Sequence, residues 1–251
     1  MLAAKLAFGV LLGVGLCACS DVQFGVRDGR DAGFGGNGGT GAEDGGLEAQ
    51  AGQAGTAGSP GDARADSPDD AGPLFPRTSV LDRFNRSDGV VGARWVGLTG
   101  DFEIRDAAAR YTSGSCGPMF WSDPLGAEQE AFMTLSTLDP EANEIFVTLK
   151  AQTLEGCDLI EVVYLPAKGT VGVHTCSEGT WTEHEIPAQF SAGDQLGGRA
   201  LPNGRVEVYK NGTLLHAVQT PEFRYHAQGG RIGIGCWPAE DVLSFDDFGG
   251  G

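Results

Sequence analysis

The stretch "LPNGRVEVYKNGTLLHAV", residues 201–218, alternates apolar and polar side chains between two Asn-Gly pairs. Val206 and Val208 share one side of an extended chain, and Arg205, Glu207 and Tyr209 share the other, which is the period of two that a half-buried strand requires. Asn203-Gly204 and Asn211-Gly212 supply residues that accept the positive φ of tight hairpin turns, so the stretch reads as strands joined by turns. The same alternation recurs in Ile145, Val147 and Leu149, in Ile160, Val162 and Tyr164, in Val171 and Val173, and in Ile232 and Ile234. Turn residues separate these runs about every ten positions, the spacing of an all-β sandwich or barrel. Residues 79–251 are therefore expected to form one all-β head, and Phe84, Trp95, Phe102 and Phe245 belong to its core.

Upstream of the head the composition changes. Residues 6–16, "LAFGVLLGVGL", follow Lys5 and are too short to span a bilayer but suit the central region of a signal peptide. The following "LCAC" resembles the lipobox of bacterial lipoproteins, with Leu16 at minus three and Ala18 at minus one. That resemblance implies a leader over 1–18, removal of Cys17 with it, and acylation of Cys19, which would hold the protein to a lipid bilayer. Ser20 after the cysteine, in place of aspartate, implies export to the outer membrane or cell surface. Residues 19–78 read as a disordered Gly/Ala/Asp-rich tether, because apolar side chains are too sparse to offset ordering entropy. As a Gly-rich coil, the part from Ser20 to Pro73 would span roughly 40 Å end to end.

Removing Lys5 with the leader leaves 16 Lys plus Arg against 34 Asp plus Glu, a net charge of −18 where the full chain has −17. Such acidity favours solubility and excludes nucleic acid as an expected partner. Cys116, Cys157, Cys176 and Cys236 remain, an even number that in an oxidising compartment reads as two disulfides with three connectivities open. The turn "PAKG" at 166–169 brings Cys157 and Cys176 within about two places of opposition on adjacent strands, so they can be bridged. Cys116 and Cys236 then pair by elimination. No Cys-x-x-Cys or Cys-x-x-His spacing points to zinc.

Together "LDRFNRSDGVVGARW", "SAGDQLGGRALPNGRVEVYKNGTLL", "GRIGIG" and "LSFDDFGGG" resemble LamG-like domains of the concanavalin A-like lectin and glucanase superfamily, over about residues 80–251. The resemblance implies a two-sheet antiparallel jelly roll whose first and last strands lie side by side, so that "DRFNR" neighbours "FDDF". Asp82, Asp246 and Asp247 would then meet and are the candidate ligands for a structural Ca²⁺, an ion that gathers oxygens. No other cofactor is expected.

Glucanases of this superfamily carry Glu-x-Asp-x-Glu, a spacing that puts carboxylates on one face of a strand. The chain holds only the pairs Glu128-x-Glu130 and Glu183-x-Glu185, and no nucleophile elbow or phosphate loop, so an enzyme is not expected. His184, between its two glutamates, faces away from both on a strand. Binding is the stronger expectation. The outward residues Phe146, Glu161, His174, Arg205, Glu207, Tyr209 and Trp237 form the candidate ligand-binding set, with Gly233 and Gly235 leaving a trough that ends at Trp237. The chain thus reads as a monomeric, lipid-anchored surface protein that binds glycan or another extracellular polymer. Adhesion to an extracellular protein and divergent carbohydrate hydrolysis are the alternatives.

Overall fold

The computed structural model describes residues 74–113, 117–237 and 243–251. The leader, Cys19, the tether before Leu74 and Cys116 lie outside the described residues, and with Cys116 so does its pairing to Cys236. The described residues all belong to one compact unit, Asp62–Gly251, and among them there is no α-helix.

Two antiparallel sheets face each other. The front sheet runs, edge to edge, β11 (Thr180–Pro187), β10 (Thr170–Ser177), β9 (Leu159–Leu165), β8 (Glu144–Ala151), β15 (Arg231–Trp237), β6 (Met119–Trp121) and β3 (Trp95–Gly97). The back sheet runs β14 (Thr213–Gln219), β13 (Arg205–Lys210), β12 (Gln195–Ala200), β7 (Gln129–Thr137), β16 (Ser244–Gly250), β5 (Ala108–Tyr111), β4 (Phe102–Arg105) and β2 (Gly89–Val90). A short β1 (Val80–Asp82) lies along β16, with Val80 opposite Gly249 and Asp82 opposite Phe248. First and last strands thus pair, as the jelly-roll resemblance implies.

The alternation read from the sequence decides what meets in the middle. Val147, Leu149, Val162 and Val173 from the front sheet join Met133, Leu196, Val206 and Val208 from the back sheet in one buried cluster. Each such side chain contributes about 1.5–3 kcal/mol by leaving water. At one end Trp95 stacks near Phe84 at 5.7 Å and Phe248 at 4.8 Å, closing the sandwich where the chain ends meet. Asn211 (φ 50°) and Gly212 (φ 79°) both take the left-handed backbone of a two-residue hairpin turn between β13 and β14. The other Asn-Gly pair behaves differently: only Gly204 has positive φ, and the loop is a wider one in which the Gly204 amide donates to the Leu201 carbonyl.

Two expectations need revision. Leu74–Thr78 do not belong to the tether: they form a strap over the outer face of the back sheet, where Phe75 stacks on Tyr209 with ring centroids 3.9 Å apart. A single aromatic in a Gly- and Asp-rich context gave no periodic signal. The glycines of β15 also leave no trough. A Cβ at Gly235 would collide with the Phe146 ring, and one at Gly233 with the Thr148 hydroxyl, so neighbouring side chains already fill that space.

Candidate functional site

The sequence-derived binding set divides between two opposite surfaces. Arg205, Glu207 and Tyr209 lie on β13 in the back sheet, whereas Phe146, Glu161, His174 and Trp237 lie on the front sheet. The two groups share no site, because parity tells which side chains point away from the core but not which sheet each strand joins.

On the back sheet the outward polar residues are satisfied by one another. Arg199, 2% exposed, donates through Nε to Glu130 Oε1 at 2.7 Å and through one terminal nitrogen to both Glu207 Oε2 at 3.3 Å and the Tyr209 hydroxyl at 3.0 Å. Tyr209 in turn donates to Glu207 Oε2 at 2.6 Å, and Arg205 Nε donates to Glu207 Oε1 at 2.9 Å. Burial, then the bond to Glu207, pushes the Tyr209 hydroxyl well up, so it stays a proton donor. The strap seals the group: Arg199 also donates to the Leu74 carbonyl, and the amides of Arg77 and Thr78 donate to Glu130 Oε2. Glu207 and Tyr209 are therefore internal links, and Glu130 is buried away from any substrate.

The acids at the meeting of the chain ends are likewise engaged. Asp82 accepts from the Phe84 amide, from both terminal nitrogens of Arg86 and from Trp95 Nε1. Burial alone would raise its carboxyl, but the Arg86 and Trp95 donors outweigh this and hold it below its ordinary value. Asp247 pairs with Arg83 at 2.9 Å, and Asp246 accepts from the Asp247 amide. Asp82, Asp246 and Asp247 thus face guanidinium and N–H donors from the protein.

The outer face of the front sheet is organised differently. Cross-strand pairing sets Gly233, Thr148, Glu161, His174 and Glu183 in one row across β15, β8, β9, β10 and β11. The next row holds Gly235, Phe146, Val163, Gly172 and Glu185, and Trp237 stands opposite Glu144 one rung further on. Phe146, Val163 and Leu165 form an apolar floor. Trp237 and Trp181, 43% and 37% exposed, stand at opposite corners of this face. The strands that carry them are four spacings apart, about 19 Å.

Polar groups on this face are unevenly satisfied. Glu161 is 5% exposed and accepts no hydrogen bond from any described residue; burial, with a contribution from Glu144, raises its carboxyl well above the ordinary value. The Thr148 hydroxyl is buried without a partner. Glu144 is raised by burial and then by Glu183. Burial would raise Glu185 too, but Thr170 Oγ1, donating at 2.7 Å, and Lys168 hold it below its usual value. His174 is buried and stays a neutral imidazole, since burial outweighs Glu183 and Glu185; its Nε2 lies 3.2 Å from Glu185 Oε1. The ligand atoms of His174, Glu183 and Glu185 lie within 4.8 Å of one another. His174, not His184, is the histidine that joins the Glu-x-Glu pair, by way of the β10–β11 hairpin. Trp181, Glu144 and Thr148 are further residues of this face that sequence reasoning missed; strand register, which joins distant positions, was the signal needed.

Beside Trp181, Cys157 and Cys176 form a disulfide with Cα atoms 5.3 Å apart. Cys176 pairs in register with Leu159, two places from Cys157, as the turn at 166–169 implied. Elsewhere a polar cleft of about 330 Å³, lined by Thr175, Ser177, Thr182, Glu222 and Arg224, opens at the edge of the sandwich. In it Thr175 Oγ1 donates to Glu222 at 3.0 Å and Arg224 pairs with Glu178, while the Ser177 hydroxyl is buried without a partner.

No protein-family model matches this chain, and no curated protein resembles it in sequence. Solved structures do resemble it in shape. The GH43 protein BlXynB of Bacillus licheniformis, in a mutant form, superposes with a TM-score of 0.51 at 11% identity, over 67% of this chain and 38% of that one. A β-glucanase of Bacillus licheniformis gives 0.47 at 16% identity over 67% and 95%, and the carbohydrate-binding module CBM66 of Bacillus subtilis gives 0.48 at 14% over 62% and 94%. Strand order, the pairing of the first and last strands and this likeness in shape make the described chain a two-sheet antiparallel jelly-roll sandwich, a fold it shares with the GH43 protein.

Proposed function

We propose that this chain is an exported, lipid-anchored surface protein whose head binds a glycan or a similar extracellular polymer on the outer face of the front sheet, without turning it over. The observation that carries this reading is the pairing of exposed Trp237 and Trp181 with a row of polar side chains between them, which includes the carboxylates Glu161 and Glu183. Aromatic faces stack on the apolar faces of sugar rings, and carboxylates on the same face exchange hydrogen bonds with ring hydroxyls. The LamG-like motifs and the lipobox at Cys19 supply the rest of the reading. A glycan array probed with the full chain and with Trp237→Ala tests it: binding that falls at least roughly tenfold in the variant, about 1.4 kcal/mol, is the expected result. Silence on every glycan would overturn it and favour protein recognition.

One observation favours a second reading, hydrolysis. Glu161 is raised and Glu185 lowered on one face, and carboxyls pushed apart in this way suit the acid and the base of a glycosidase. Polysaccharide turnover that disappears in Glu161→Gln would establish it.

A further inference from the structure

We propose that His174, Glu183 and Glu185 bind one transition-metal ion, with Zn²⁺ the best match, on the outer face of the front sheet. The β10–β11 hairpin builds the site. His174 stands directly opposite Glu183, and Glu185 lies two residues along the same strand, opposite Gly172. Residues two apart on a strand share a face, and side chains directly opposite start about 5 Å apart, so one imidazole and two carboxylates meet over two rungs. Their ligand atoms already lie within 4.8 Å of one another. Around a tetrahedral ion with bonds of about 2.0–2.2 Å, neighbouring ligand atoms sit about 3.4 Å apart, so side-chain adjustments of roughly 1.4 Å close the site without any change of strand register.

The surroundings fit a metal-ligating carboxylate. Thr170 Oγ1 fixes Glu185 Oε2 at 2.7 Å, leaving Oε1 turned toward His174 Nε2 at 3.2 Å. Hydroxyl support of this kind orients ligands in known metal sites. Lys168, on a largely exposed side chain 3.3 Å from Glu185 Oε1, is the competing cation and is free to swing away.

A second, independent observation points to a cation. Glu161 flanks His174 in register on the side away from Glu183, is buried, and accepts no hydrogen bond from any described residue. Enclosed to that degree the carboxyl is neutral by itself, and a cation beside His174 stabilises its charged form. The donor set selects the ion. One imidazole and two carboxylates suit Zn²⁺, whereas Ca²⁺ takes six to eight oxygens and has no use for the imidazole.

The site stands or falls without any glycan, so its test needs none. The chelator-stripped full chain is titrated with zinc chloride by calorimetry, in parallel with calcium chloride. One Zn²⁺ per chain is expected, with affinity lowered about 10–100-fold or more in Glu183→Gln and in His174→Gln, and with Ca²⁺ bound far more weakly. Glu183 is exposed, so its variant keeps the fold even if the buried histidine does not tolerate change. Absence of Zn²⁺ binding, or Zn²⁺ binding that Glu183→Gln leaves unchanged, or Ca²⁺ bound as tightly as Zn²⁺, would overturn the proposal.

Discussion

Glu161 is a buried carboxyl between Thr148 and His174 in one cross-strand row, and burial, with Glu144, raises it so that it holds its proton more firmly. The unfolded chain releases that proton near pH 4.3, the folded chain at a higher pH. Between those values the folded state binds more protons, so the contribution of Glu161 to stability is complete below about pH 4.3 and declines as the pH rises. His174 works in the opposite direction, because its lowered value makes the folded state bind fewer protons below about pH 6.5. Glu161→Gln isolates the first effect, since glutamine resembles the protonated acid. Relative to the wild type, the variant is expected to be equally stable near pH 4 and progressively more stable toward pH 7 in urea unfolding. A difference that does not change with pH would contradict the assignment. At this scale the sequence was partly legible: alternation identified Phe146, Glu161 and His174 as facing away from the core. It could not show that Phe146 covers Gly235, or that His174 and not His184 meets Glu183, because both depend on cross-strand neighbours.

Among elements, the strap and the β9–β10 connection carry the clearest consequences. Arg199 is sealed by Leu74–Thr78 and balanced by Glu130 and Glu207, so removing one acid leaves a buried guanidinium short of its counter-charge. Breaking such a group costs about 3–5 kcal/mol, and Glu130→Ala is expected in that range. Phe75→Ala removes a ring packed on Tyr209 and Phe132 and costs about 3 kcal/mol. The two act through one strap, so the double variant should lose less than the sum; strict additivity in denaturant unfolding would mean that the strap is not a unit. The disulfide spans 19 positions, and its reduction should lower stability by about 3 kcal/mol in the same assay. The hairpin at Asn211-Gly212 was legible because the turn needs those residues locally. The strap was not: its contacts to Glu130 and Arg199 join positions far apart in the chain, and nothing in "LFPRT" alternates.

The whole molecule presents two unlike outer surfaces on one sandwich. The back sheet is closed over by its own amino-terminal strap and its charges are matched internally. The front sheet keeps two exposed tryptophans and a row of polar side chains, Thr148, Glu161, His174 and Glu183, between the strands that carry them. Two sheets and paired chain ends were readable from alternation and motif, but the assignment of each strand to a sheet was not, and that assignment decides which face is free. The front face is therefore the proposed place for a ligand. The most direct test is quantitative binding of the full chain to immobilised polysaccharides, comparing the wild type with Trp237→Ala on the front sheet and Arg205→Ala on the back. Binding lost roughly tenfold or more in Trp237→Ala and retained in Arg205→Ala is the expected result, about 1.4 kcal/mol at the front face alone. Binding that survives Trp237→Ala and fails in Arg205→Ala would contradict it.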